Sequence, residues 1–399
     1  MTRRSFLKGL SVAGLLPILD AAGLLGEEER QVAQSLDSPT PAESFGQPDQ
    51  ALPWPKTDDG FVMTRLKQEL SIIRQIGGLE EFEAVRTVFS QARSESTPCS
   101  LTGAGCSSVV LFLLGASHVL PTRHGLYFER FRDPGGRWAP PFLIQVEPAG
   151  LGQLVDFTTS RYPKLAAEGR LCFSPMATEK AALWQTVQDV GSPISLDEIP
   201  WSDQDTFELL GSGDMEGVSF FQDPAIQEDV QRLQPKCLDD LVAIIALLQL
   251  SVDRGDLLRL YEEHGKESPG LPEAVHPVMT ETTADSRGLI LFQEQVMMLL
   301  DRLGRISPAD GYDFIKAAAT NKSAIVAEYR ERFLKSAGKR GIANGAAEGV
   351  FEQLRGASSY ACCKAGCVAD AVLAYRGAYL KAHYPMEFSR MVPISRTKL

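Results

Sequence analysis

Pro140-Pro141-Phe142-Leu143-Ile144-Gln145-Val146-Glu147-Pro148 is the stretch that decides how this chain is built. Prolines fence off Phe142–Val146, which has the length of a strand and the apolar content of one in the middle of a sheet. In a strand, alternate side chains point to the same side. Leu143 and Gln145 therefore share one face, and Glu147 continues it.

Upstream, apolar residues at Met63, Leu66, Leu70, Ile73 and Ile76 have helical spacing, and Glu80–Arg93 predicts a second helix. Val109–Leu114 is a short buried element. Downstream of Ile199 the pattern is helical almost throughout. Leu238–Leu250, following Pro235, is nearly all apolar and predicts a buried core helix. Leu289–Leu303 directs Phe292, Val296, Leu299, Leu300 and Leu303 inward. Helices over Ile325–Ala337, Ala346–Leu354 and Val368–Ala382 follow, the last ended by Tyr384-Pro385. The fold class expected is α+β, a mixed α/β half followed by an all-helical half.

A length of 399 residues suggests two or three domains. With 44% hydrophobic and 23% charged residues the composition is that of a folded protein. No run of 18 apolar residues exists, so no membrane helix and no membrane partner are expected. Seven cysteines are too few for a disulfide scaffold. The net charge of −11 excludes a uniformly basic nucleic-acid binder. The charge is uneven, however. From Asp301 onward 16 Lys+Arg face 9 Asp+Glu, a local +7, which leaves −18 on residues 1–300. A polyanion partner fits the C-terminal quarter only.

Several strings together resemble the bacterial replicative DNA polymerase III α subunit, a family C polymerase. Gly125-Leu126-Tyr127-Phe128-Glu129-Arg130-Phe131 is similar to its GLLFERF. Ile199-Pro200 with Asp205-Thr206-Phe207-Glu208-Leu209-Leu210 resembles IPLDDPKTFELL. Phe292-Gln293-Glu294-Gln295-Val296-Met297 resembles YQEQVM, and Tyr329-Arg330-Glu331-Arg332-Phe333 resembles QRERF. Leu380-Lys381-Ala382-His383-Tyr384-Pro385 with Glu387-Phe388 resembles LKAHYPAEF. All five occur in the family's order. The resemblance covers palm and fingers only; the family's PHP, helix-hairpin-helix, clamp-binding and OB regions find no counterpart in these strings, and the thumb is nearly deleted. It implies a palm-like domain over 61–182 and a helical fingers-like domain over 183–391. Around them stand a basic and apolar segment (1–26), a Pro/Ser/Asp/Gln-rich linker (27–60) and a tail (392–399).

The family joins nucleotides with two Mg²⁺ ions, held by two palm-strand aspartates in PDxDxDF and a third in FDFLGL. Two such ions activate the attacking oxygen and neutralise the triphosphate. The resemblance puts Leu143 and Gln145 at the first two positions and Ser174 at the third. An aliphatic chain, an amide and a hydroxyl are poor ligands for a hard cation. No catalytic residue, no metal ligand and no cofactor are therefore expected. The family's GPGRGS-x-AGS phosphate loop corresponds to Leu101–Ser108, where Gly103 and Ser108 match. Of the basic fingers positions Lys316, Lys322 and Lys364 survive. These five residues are the candidate nucleotide- or DNA-binding set. The implied function is an inactive polymerase III α-like protein with weak, non-specific DNA binding; the alternative is a protein-interaction scaffold that reuses the fingers fold.

Cys362, Cys363 and Cys367 have no second ligand pair to make a structural zinc site, and small buried side chains are expected there. His383 is expected to pack, and no nucleophile–base arrangement is visible.

Thr2-Arg3-Arg4-Ser5-Phe6-Leu7-Lys8 fits a twin-arginine export signal. Asp20 breaks the apolar stretch that follows, and the body resembles a cytoplasmic enzyme, so the cytoplasm is expected. A reporter that functions only after export, fused behind residues 1–40, is expected to stay inactive. Export that disappears on changing Arg3 and Arg4 to Lys would overturn that expectation.

Overall fold

A computed structural model describes residues 59–131, 141–190, 196, 199–250, 254–266 and 276–392. The export-signal reading, the linker up to residue 58, Pro140 and the tail beyond residue 392 lie outside the described residues. The chain divides into two compact units. Among described residues the first holds 59–128, 141–181, 196 and 199, and the second 129–131, 182–190 and 200–392.

The first unit opens with α1 (Asp59–Gln75) and α2 (Leu79–Ser94). In α2 the acidic pair Glu80 and Glu81 lies in the first turn, where the helix dipole favours negative charge. Phe82, Val85, Phe89 and Ala92 form its buried face. Strand β1 (Cys99–Thr102) leads through a 3₁₀ turn, Gly103–Ser107, into the five-residue helix α3 (Val109–Leu113). Strand β2 (Phe142–Val146) is followed by α4 (Pro148–Arg161) and α5 (Pro163–Ala167), which carry the chain over to β3 (Leu171–Pro175). Pro148 and Pro163 each open their helix, where the missing N–H costs nothing.

The sheet order is β1-β2-β3, with β1 antiparallel and β3 parallel to β2, so Phe142–Val146 is the central strand. Phe142, Ile144 and Val146 are wholly buried, and Phe142 meets Phe82 of α2 edge-on with ring centroids 5.4 Å apart. The opposite face carries Leu143, 42% exposed, and Gln145.

Helix α3 is too short to persist alone. Glu69 of α1 fixes its start. One carboxylate oxygen accepts from Arg65 Nε (2.8 Å) and the Val109 amide (3.1 Å), the other from Ser108 Oγ (2.8 Å) and the Val110 amide (3.2 Å). Ser108 Oγ also accepts from the Leu111 amide at 3.2 Å, and Arg65 donates to the Leu126 carbonyl at 3.1 Å. Neither Glu69 nor Ser108 has exposed surface. Burial raises the Glu69 carboxyl above its ordinary pKa, while Arg65, Val109 and Ser108 pull it back.

A helix begins at Thr178 and runs to Asp189 (α6). The second unit then consists of α7 (Gln204–Ser212), α8 (Pro224–Leu233), α9 (Leu238–Gln249), α10 (Arg254–Lys266) and α11 (Pro277–Thr283). After these come α12 (Gln293–Gly304), α13 (Pro308–Ala319), α14 (Ser323–Lys339), α15 (Asn344–Ala357), α16 (Lys364–His383) and α17 (Pro385–Met391). Helices α9 and α16 form the centre. Eight of twelve residues in α9 and fifteen of twenty in α16 are buried, too many for a single apolar stripe, so both are enclosed. A second cluster joins α13, α14 and α15, where the Phe314 and Phe333 rings lie 5.4 and 5.6 Å from Phe351.

Helix α12 begins at Gln293, four residues later than the Leu289–Leu303 pattern predicts. The cause is polar. Gln295 Oε1 accepts from the Leu291 and Phe292 amides, and the extended backbone there exchanges hydrogen bonds with Cys362, both at 2.9 Å. The other late helices extend the predicted ranges by one to four residues at each end.

Glu69→Ala strands Arg65 and two backbone amides in the interior. It is expected to lower the unfolding free energy by about 3–5 kcal/mol, measured by urea unfolding, while Lys67→Ala on the exposed side of α1 stays within about 0.5 kcal/mol. In the second unit Asp240 accepts from the Lys236 amide, Tyr261 Oη and Arg287 Nη2. Burial opposes its ionisation, but these three donors outweigh it and hold the carboxyl below its ordinary pKa of 3.8. Its stabilisation is present above pH 4 and fades as pH falls through the depressed value. The stability gap between wild type and Asp240→Asn is therefore expected to be about 2 kcal/mol at pH 7 and to shrink below pH 4.

Candidate functional site

The open face of the sheet is where the resemblance locates chemistry, and strand register fixes its geometry. Gln145 pairs with Ser174 across the parallel ladder, and Leu143 with Cys172. Directly opposed residues project to the same side. Leu143, Gln145 and Ser174 thus stand together on one face, two on the central strand and one beside them.

A cation reaches this face from within the protein. Lys180, in the first turn of α6, donates from Nζ to Gln145 Oε1 at 2.9 Å and is only 5% exposed. On the other side, Gly103 follows the end of β1 with φ +66°. A Cβ there would lie 3.2 Å from Leu143 Cδ1, so the left-handed turn and the exposed leucine fit each other only because Gly103 has no side chain. Glu147 lies beyond the strand at the N-cap of α4, and its amide donates to the Pro98 carbonyl at 2.9 Å.

Two divalent cations do not fit these residues. Hard cations take several charged or carbonyl oxygens. Here one position is aliphatic, one is a hydroxyl, and the remaining amide oxygen already binds an ammonium. Among the described residues no group of three or more His, Cys, Asp or Glu side chains is arranged to hold a metal ion.

The other predicted residues fall in different surroundings. Ser108, in the first unit with Gly103, is committed to Glu69 and to the Leu111 amide. A carboxylate of the protein itself thus occupies the Ser108 hydroxyl and the two amides that follow it. In the second unit Lys316 is exposed, 3.5 Å from Asp313 and above the Tyr312 ring. Lys322 is exposed in the turn between α13 and α14. Lys364 is 9% exposed, its ammonium is ion-paired with Asp285, and its amide donates to Glu294 Oε2 at 2.8 Å.

Glu294 was not singled out from the sequence. It is 1% exposed and accepts from Arg130 Nη1 at 3.3 Å as well as from the Lys364 amide. The FERF, QEQVM and Cys362-Cys363-Lys364 strings therefore meet at one buried carboxylate. The His383 string closes a similar joint. His383 Nε2 lies 2.9 Å from Asp203 Oδ1, and Asp203 caps α7 through the Thr206 amide. Tyr375 Oη, nearby, donates to the Pro200 carbonyl at 2.6 Å and accepts from the Asp203 amide at 3.0 Å.

The three late cysteines are each held by a separate partner. Cys363 is the N-cap of α16, and burial pushes its thiol up, so it is a poor nucleophile. The Cys362 thiol donates to the Ala246 carbonyl and the Cys367 thiol to Gln249 Oε1, both on α9.

Comparison with known proteins finds two family-model matches. The family model for the bacterial DNA polymerase III alpha NTPase domain matches residues 49–199, and that for the finger domain of the same subunit matches residues 180–341. The chain is 31% identical over 201 residues to the DNA polymerase III subunit alpha of Aquifex aeolicus, covering 50% of this chain and 17% of that protein. It is 28% identical over 204 residues to the subunit of the same name from Thermus aquaticus, covering 50% and 16%. It is 31% identical over 253 residues to the error-prone DNA polymerase of Symbiobacterium thermophilum, covering 62% and 23%. The chain thus spans between 16% and 23% of the length of these relatives.

Proposed function

We propose that this chain, which is polymerase III α-like across residues 49–341, does not polymerise DNA and retains weak, non-specific DNA binding in its basic C-terminal quarter. The observation that carries the first part is the open sheet face, where Leu143, Gln145 and Ser174 stand together and a lysine ammonium lies on the only amide oxygen. Two-metal nucleotidyl transfer has no ligands there. Losing even one of the two ions removes several kcal/mol of transition-state stabilisation. No metal cofactor enters this reading. The relatives are named as polymerases, and their activity does not transfer to a chain with this donor set.

The binding part rests on the net positive charge beyond Asp301 and on Lys316 and Lys322, both exposed. Lys364 is held by Asp285 and leaves the phosphate-seeking set. The burial of Lys364 and the exposure of Met386, at 65%, favour the second reading, an interaction scaffold built on the fingers fold. No helix among the described residues is long and apolar enough to cross a membrane. We assign the protein to the cytoplasm on its likeness to a DNA polymerase III subunit.

Primer extension with Mg²⁺ or Mn²⁺ and all four deoxynucleotides is expected to give no template-dependent product. Incorporation that is lost on Glu147→Gln would overturn the proposal. In titrations of labelled duplex DNA at several salt concentrations, Lys316→Gln and Lys322→Gln are each expected to reduce the slope of log K against log salt by about 0.9. Lys364→Gln is expected to leave that slope unchanged. Absence of binding even at low salt would favour the scaffold reading.

A further inference from the structure

We propose that Lys180 is a built-in cation, standing where a divalent ion would have to sit, and that it bars metal from this face independently of the missing carboxylates. The proposal rests on the reading of the sheet face given above and adds a second, separate obstacle. Three observations support it. First, Nζ lies 2.9 Å from Gln145 Oε1, on the side of β2 that also carries Leu143 and Ser174. Second, Lys180 is 5% exposed, whereas a lysine is almost never buried unless its charge is satisfied. Third, it belongs to the first turn of α6, the end of a helix that disfavours positive charge. Neither local propensity nor the helix dipole favours a buried lysine there, and Gln145 on the sheet is one of its partners.

The electrostatic consequence is direct. An ammonium and a divalent ion cannot share one oxygen ligand in a half-buried site, because their repulsion is screened there far less than in water. A carboxylate introduced at position 145 would pair with Lys180 before it could bind a metal. Restoring acidic side chains alone would then produce an internal salt bridge and no metal site.

The test is Mn²⁺ binding, followed by calorimetry and by the paramagnetic relaxation of water protons, on purified full-length chain. Four proteins are compared: wild type, Gln145→Glu, the triple variant Leu143→Asp/Gln145→Asp/Ser174→Asp, and the triple variant carrying Lys180→Met as well. Circular dichroism and Tm establish that each is folded. Wild type and Gln145→Glu are expected to give no one-to-one binding, and removing Lys180 from the triple variant to tighten Mn²⁺ binding at least tenfold. Equal affinity of the triple variant with and without Lys180 would overturn the role of Lys180 and leave the inactive reading intact. Stoichiometric Mn²⁺ binding by wild type would overturn both. Should the triple variants not fold, the pair Gln145→Glu and Gln145→Glu/Lys180→Met decides. Lys180→Met is expected to lower the Tm more in the Gln145→Glu background than in wild type. An equal loss in the two backgrounds would show that the ammonium does not face position 145.

Discussion

A carboxylate with no exposed surface, Glu69, is the constraint around which the first unit is arranged. Removing a charge from water is costly, and only matched partners offset that cost. Glu69 has four donors, one from α1 and three from the start of α3, so the second half of α1, the Gly103–Ser107 turn and the start of α3 must stay in register with one another. The turn delivers the chain from β1, and β1 sets one edge of the sheet. Glu294 does the same in the second unit, drawing Arg130 and the first amide of α16 to the start of α12. Buried acids at helix starts therefore fix where the elements meet, while apolar packing supplies the bulk of the stability.

The strings that resemble polymerase III α are largely these joints. Arg130, Glu294, His383 and Tyr329 each lie in one of them, and each is hydrogen-bonded, ion-paired or packed against a ring. Leu143 and Gln145 lie instead on the open face of the sheet. Leu143 is 42% exposed, so an aspartate there would be tolerated by the fold. On this sheet one face builds the core and the other faces outward.

Much of the fold was legible in the sequence for a physical reason. Helical spacing and proline punctuation are local properties, and they located α1, α2, β2, α9 and α16 to within a few residues. The period of two was enough to put Leu143 and Gln145 on one face. Contacts over long separations were not legible. Lys180 and Gln145 are 35 residues apart, and only the parallel crossover between β2 and β3 brings them together. Glu69 and Val109 are 40 apart. Lys364 read as a basic residue free to meet phosphate, because nothing near it in sequence announces Asp285, which is 79 residues away. The late start of α12 had the same origin, a bridge to Cys362 that no local pattern encodes.

The pairing of α9 with α16 has a consequence for the newborn chain. Cys367 lies against Gln249, 118 residues earlier. A ribosome adding 5–20 residues per second needs roughly 6–24 s to make that intervening stretch. Throughout that interval the apolar run Leu241–Leu247 has emerged without the helix that will cover it. Synthesis of this chain thus passes through a window in which an apolar helix has been made before the helix that encloses it.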